Sequence, residues 1–142
     1  MTYYLLMGIK KLLGHKYLFL LVILSTSIIT WASLAKFVNP VGFNVKGSDK
    51  IAHCIAYFVF ALVWFVFFFF SNNGKTSFIQ SIVRTFIVCF FYGVLMESLQ
   101  FLLTSYRSFE WFDVLANTSG IIFAVLFLKV LENKLVSFKK NQ

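Results

Sequence analysis

Charge is scarce in this sequence: 13% of its 142 residues are charged, where a soluble domain of ordinary composition carries about 25%. Acidic residues are rarer still, 5 against 13 lysines and arginines, so a carboxylate inside an apolar run stands out. Proline occurs once, at Pro40, and the two cysteines, Cys54 and Cys89, lie within apolar runs. Neither belongs to a CxxC or Cys/His pattern, so both read as packing residues and say nothing of redox compartment. Phosphate loops, dinucleotide fingerprints and nucleophile elbows are absent from the sequence. No long polar stretch is left over to build a soluble catalytic domain.

What remains is apolar: 60% of the chain is hydrophobic, and 20 residues are phenylalanine. Aromatics at this density would aggregate in water and are at ease in lipid. A spanning helix takes about 20 apolar residues, which allows four or five in a chain of this length. The formal net charge of +8 is dispersed at the ends of apolar runs rather than gathered on a polar face. It therefore suits a membrane surface, and no nucleic-acid partner is expected.

The expected fold is all-α, a single domain over residues 1–142 forming an integral membrane bundle of four transmembrane helices. The spans are placed at about 17–34, 51–70, 78–104 and 114–131, with a lysine-bearing tail over 132–142. The first run exceeds the usual apolar core of a signal peptide and is read as a retained span. The loop over 35–50 holds Pro40, Gly42 and Gly47, and Ser48 or Asp49 is expected to cap the second helix. Lys10, Lys11, Lys16, Lys75, Arg84, Lys129, Lys134, Lys139 and Lys140 fall on one side of the membrane. Lys36, Lys46, Lys50 and Arg107 fall on the other. The excess of basic residues marks the cytoplasmic side, which puts both termini of a multi-pass protein in the cytoplasm.

Three helices carry one polar stripe each. Asp49, His53 and Tyr57 recur four apart on the second; Gly93, Glu97, Gln100 and Thr104 follow steps of four, three and four on the third. Asp113, Asn117, Gly120 and Ala124 repeat those steps on the fourth. Chain direction brings all three polar ends to one level, the outer one. At about 1.5 Å of rise per residue, Tyr57 and Asn117 lie deeper than Asp49 and Asp113. An ionised side chain at a helix centre costs on the order of 2.5–3.5 kcal/mol on insertion scales, so Glu97 is expected to face the bundle interior. Lys50, His53 and Arg107 are its expected partners.

Each residue also has a plainer reading. Asp49 and Asp113 suit the positive end of a helix dipole, and Lys50 and Arg107 suit lipid phosphates at the interface. Tyr57 reads as packed aromatic. Gln100 and Asn117 read as amides bonding across helices, and Gly93, Gly120 and Ala124 as small residues that let backbones approach. His53, Glu97 and Asp113 are the catalytic candidates, with Asp49 one turn before His53 able to orient its ring. A metal centre built from the same three lacks the usual His/Cys spacing, so no metal and no cofactor is expected.

The ordered set Asp49-Lys50-x-x-His53-x-x-x-Tyr57, Glu97-x-x-Gln100 and Arg107 followed by Asp113-x-x-x-Asn117-x-x-Gly120 resembles the VanZ-like family of bacterial membrane proteins. The resemblance covers residues 48–128 and departs from the family at Ala124, where a second glycine is frequent. It implies characteristic positions at Asp49, Lys50, His53, Tyr57, Glu97, Gln100, Arg107, Asp113, Asn117 and Gly120. The name-giving member is linked to resistance to the glycopeptide teicoplanin, and the family's biochemical activity is unassigned. Three readings follow. The first is a module that binds an envelope amphiphile or lipid-linked wall precursor through the ligand candidates Asp49, Lys50, His53, Tyr57, Glu97, Gln100, Arg107, Asp113 and Asn117. The second is a membrane enzyme acting on a phosphoryl or acyl group with His53 as base. The third is an assembly subunit whose partner is another membrane protein or a second copy of itself.

Overall fold

The computed structural model describes residues 14–35, 47–71, 76–104 and 108–141. They form four helices: α1, His15–Leu34; α2, Ser48–Phe70; α3, Phe78–Leu103; and α4, Trp111–Lys140. All four are long and apolar enough to cross a membrane, and no strand occurs among the described residues. The protein is a multi-pass membrane protein. A helix satisfies every backbone group within its own segment, which is what hydrocarbon demands of these runs.

Local signals set the helix ends. Gly47 precedes α2 with φ 95°, the left-handed region that glycine enters freely, and no side chain caps the helix. The cap expected from Ser48 or Asp49 is therefore not made; both lie inside the first turn, and the Asp49 carboxylate takes the Lys50 ammonium instead. At α3 the Ser77 hydroxyl accepts from the Gln80 amide at 3.2 Å while the Gln80 side chain accepts from the Ser77 amide at 3.1 Å, a complete capping box. Helix α4 meets no proline and no glycine after Gly120, and so continues through the tail to Lys140. Its 30 residues make about 45 Å of helix, longer than the about 30 Å hydrocarbon core.

The bundle runs up, down, up, down, as contacts at its two levels show. At one level the His15 ring, at the start of α1, meets the Ser71 hydroxyl at the end of α2. Lys139, near the end of α4, donates to the Thr76 carbonyl just ahead of α3 at 2.8 Å and covers the Phe69 ring. At the other level the Gln100 amide donates to the Ser33 carbonyl at 2.8 Å, and Lys50 meets Asp113. Helix α2 lies at the centre, packed on α1, α3 and α4. Tyr57, Phe60, Ala61, Cys89, Ile121 and Ala124 form the core of the middle layer. Phe65, Phe69, Phe78 and Leu128 close the end opposite the polar stripes.

The tightest crossing joins α2 to α4. A Cβ added to Gly120 would lie 3.0 Å from the Phe58 amide nitrogen and closer still to the Cys54 carbonyl oxygen, both backbone atoms that cannot swing aside. At Gly93 an added Cβ would stand 3.1 Å from a carbon of the Tyr57 ring, which can yield. Gly120→Ala is expected to lower stability by about 1–3 kcal/mol, and Gly93→Ala by less, in thermal unfolding of the detergent-solubilised protein. Equal melting temperatures for G120A and wild type would refute the backbone contact.

Candidate functional site

The polar ends of α2, α3 and α4 meet at one level of the bundle. Lys50, in the first turn of α2, extends its ammonium into three carboxylates: Asp49 at 2.8 Å, Glu110 at 2.8 Å and Asp113 at 2.7 Å. Of these, Asp113 is buried, whereas Asp49 and Glu110 are exposed. Among the described residues, one cation against three acids leaves this cluster with an excess of negative charge. The Lys50 ammonium, a candidate for lipid phosphate and for Glu97, is engaged here by these three acids.

One turn deeper, the His53 ring lies between α3 and α4. Its Nδ1 is 3.0 Å from the Asn117 side-chain oxygen, an acceptor, so the ring donates there through Nδ1–H. Glu97 Oε1 stands 3.9 Å from Nδ1 and Asp113 Oδ2 stands 3.8 Å from Nε2. Both separations exceed a hydrogen bond. Asn117 is thus the residue that orients His53, in place of Asp49. Glu97 is 1% exposed and faces the bundle interior, not lipid. Tyr57, 2% exposed, packs its ring against Gly93, beside the Asn117 amide.

A groove of about 210 Å³ runs between α1 and α2 to this cluster. Ile29, Ala32, Ala52 and Ala56 give it apolar walls, because three alanines on facing helices leave space that longer side chains would fill; Ser33, Asp49, His53 and Tyr57 line its polar part. Gln100 stands apart from the cluster's chemistry: its amide ties α3 to the Ser33 carbonyl of α1. Gly120 and Ala124 lie on the packing face of α4. Arg107, the remaining ligand candidate, lies outside the described residues.

Two participants were not singled out from the sequence. Glu110 lies between the third and fourth spans, three residues before Asp113, a spacing that places two acids on one side of a helix start. Tyr92 sat unremarked in the third apolar run; its hydroxyl meets the Thr30 hydroxyl at 2.5 Å and donates to the Thr26 carbonyl at 3.3 Å, holding α1 to α3.

The VanZ/LLP1 family profile matches residues 9–132 and so takes in all four helices. The chain belongs to the VanZ/LLP1 family. An uncharacterized protein of Schizosaccharomyces pombe is 35% identical over 96 residues, which is 67% of this chain and 52% of that protein. The chain thus spans about half the length of this curated relative. No solved structure matches.

Replacing Lys50 by Met removes the only cation that the described residues place among Asp49, Glu110 and Asp113. The expected cost is about 1–3 kcal/mol, that of leaving a buried charged group without its partner. K50M/D49N is expected to recover part of that loss by removing one repelling acid. Unfolding in detergent micelles at neutral pH checks both, and a K50M protein as stable as wild type would show the cluster to be energetically idle.

Proposed function

We propose that this VanZ/LLP1 protein is a membrane-embedded binding module that takes an amphiphile of the cell envelope. The apolar chain lies in the groove between α1 and α2, and the head group meets the polar cluster of His53, Glu97, Asp113 and Asn117. The observation that carries this reading is the groove itself: alanine-lined and apolar along its length, it ends on His53 and Asp49. That graded polarity is the shape of a lipid seen from the protein side.

The carboxylates of the cluster favour the hydroxyl-rich or amine-bearing part of a head group, since they accept hydrogen bonds from both. A lipid-linked wall precursor of a bacterial envelope has such a head, and its phosphate contact falls to Arg107. The yeast relative favours a lipid class not confined to one kind of cell wall. In this reading both termini face the cytoplasm of the inner membrane and the cluster faces the outer leaflet, where occupancy would alter exposure to a glycopeptide. A second reading, an enzyme acting on a lipid phosphoryl or acyl group with His53 as base, draws on the His53–Asn117 bond, which holds the ring in one orientation.

Native mass spectrometry of protein released from its own membrane tests the binding reading. Wild type is expected to carry a discrete lipid adduct. Glu97→Gln, which alters the cluster, and Ala56→Phe, which fills the groove, are expected to lose it. Bulk lipid alone in wild type, or an adduct retained in both variants, overturns it. Topology is tested separately: Asn44→Cys, in a background with Cys54 and Cys89 replaced by Ala, should react with a membrane-impermeant maleimide in intact cells. Reaction only after permeabilisation would reverse the assignment.

A further inference from the structure

We propose that His53, Glu97 and Asp113 form a binding site for a first-row divalent cation of the zinc or manganese type, buried at the meeting of α2, α3 and α4. The first ground is geometric: one ring nitrogen and one oxygen from each carboxylate lie within 4.8 Å of one another. Donors about 2.0–2.2 Å from a shared ion stand roughly 3.3–3.6 Å apart in a tetrahedron. Nε2 of His53 and Oδ2 of Asp113, 3.8 Å apart, are a short side-chain adjustment from that spacing; Glu97 approaches the same ring from its Nδ1 side, at 3.9 Å.

The second ground is the supporting hydrogen bond. A metal-bound histidine commonly donates its other ring N–H to an oxygen that holds the ring in place. The Asn117 oxygen accepts from Nδ1 at 3.0 Å, and the other ring nitrogen, Nε2, stands 3.8 Å from Asp113 Oδ2. Lys50 engages the other oxygen of Asp113, Oδ1, and so leaves Oδ2 on the side of the ring.

The third ground is the polar atoms around the cluster. The Tyr57 hydroxyl and the Asn117 amide nitrogen are buried without a hydrogen-bond partner among the described residues, and Tyr57 lines the same groove as His53. Three protein donors leave a coordination position for water or a ligand oxygen, which would supply such a partner. A donor set of one nitrogen and two oxygens, without sulfur, suits zinc or manganese rather than copper(I) or an iron–sulfur cluster. Asp49 and Glu110, exposed at the mouth, draw cations toward it.

The inference stands apart from the lipid reading, since ion and lipid are counted as separate mass increments. Full-length protein in detergent is stripped with a chelator, then titrated with zinc and with manganese, and bound metal is counted by elemental analysis and native mass spectrometry. One ion per chain is expected. His53→Gln and Glu97→Gln should weaken binding by about a hundredfold, while Asp49→Asn and Glu110→Gln, at exposed sites, should leave it within about threefold. Zinc should raise the melting temperature of wild type and not of the first two variants. Should those variants fail to fold, X-ray absorption on the zinc-loaded wild type decides by the presence or absence of one imidazole in the ligand shell. Less than stoichiometric metal, an imidazole-free shell, or binding lost in D49N and E110Q but kept in H53Q overturns the site.

Discussion

The backbone contact between Cys54 and Gly120 sets the register on which the polar end depends. His53 is the neighbour of Cys54, and Asn117 lies one turn before Gly120, so the crossing that brings these backbones together also sets His53 against Asn117. One further turn toward the surface, the same alignment puts Lys50 over Asp113. Apolar side chains do not choose such a register in lipid, where chain and solvent are equally oily and association rests on close packing and interhelical hydrogen bonds. Ala124, buried one turn deeper, continues the close approach.

The four spans were legible in the sequence because hydrophobic length is a property of one segment at a time. The convergence of the stripes was legible in part, since antiparallel connections and four-residue spacing bring Asp49, His53, Glu97 and Asp113 to one level. Pairing was not. Asp49 lies one turn before His53 on the same helix, yet its carboxylate turns to the adjacent Lys50, and the ring finds Asn117 on α4 instead. Glu110 was hidden for a related reason: its role comes from an ammonium on α2, sixty residues earlier. Spacing within a helix reports which residues share a face, whereas partners across helices depend on rotation and depth, which only packing sets. For the same reason a ligand set spread over three helices shows none of the short spacings by which metal sites are read from sequence.

The balance of charge separates this cluster from a phosphate-binding site. A single ammonium surrounded by three carboxylates, with Glu97 buried one layer below, makes this cluster acidic among the described residues, although the chain as a whole is strongly basic. Electrostatic attraction is stronger where water is excluded, so the local sign, not the net charge of +8, governs which head groups and ions the cluster favours.

Helix α1 differs from its neighbours in how it is held. Only Leu18, Val22 and Ser33 of it are buried, while Leu20, Leu24 and Trp31 face outward. Its attachment rests on polar rungs: His15 with Ser71, the Thr26 and Thr30 oxygens with Tyr92, and the Ser33 carbonyl with Gln100. Its apolar surface is nearly as content against lipid as against protein, so the outer wall of the groove is latched rather than glued. Such a wall resists sliding along its own axis, which would break every rung together, far more than it resists being peeled back from one end.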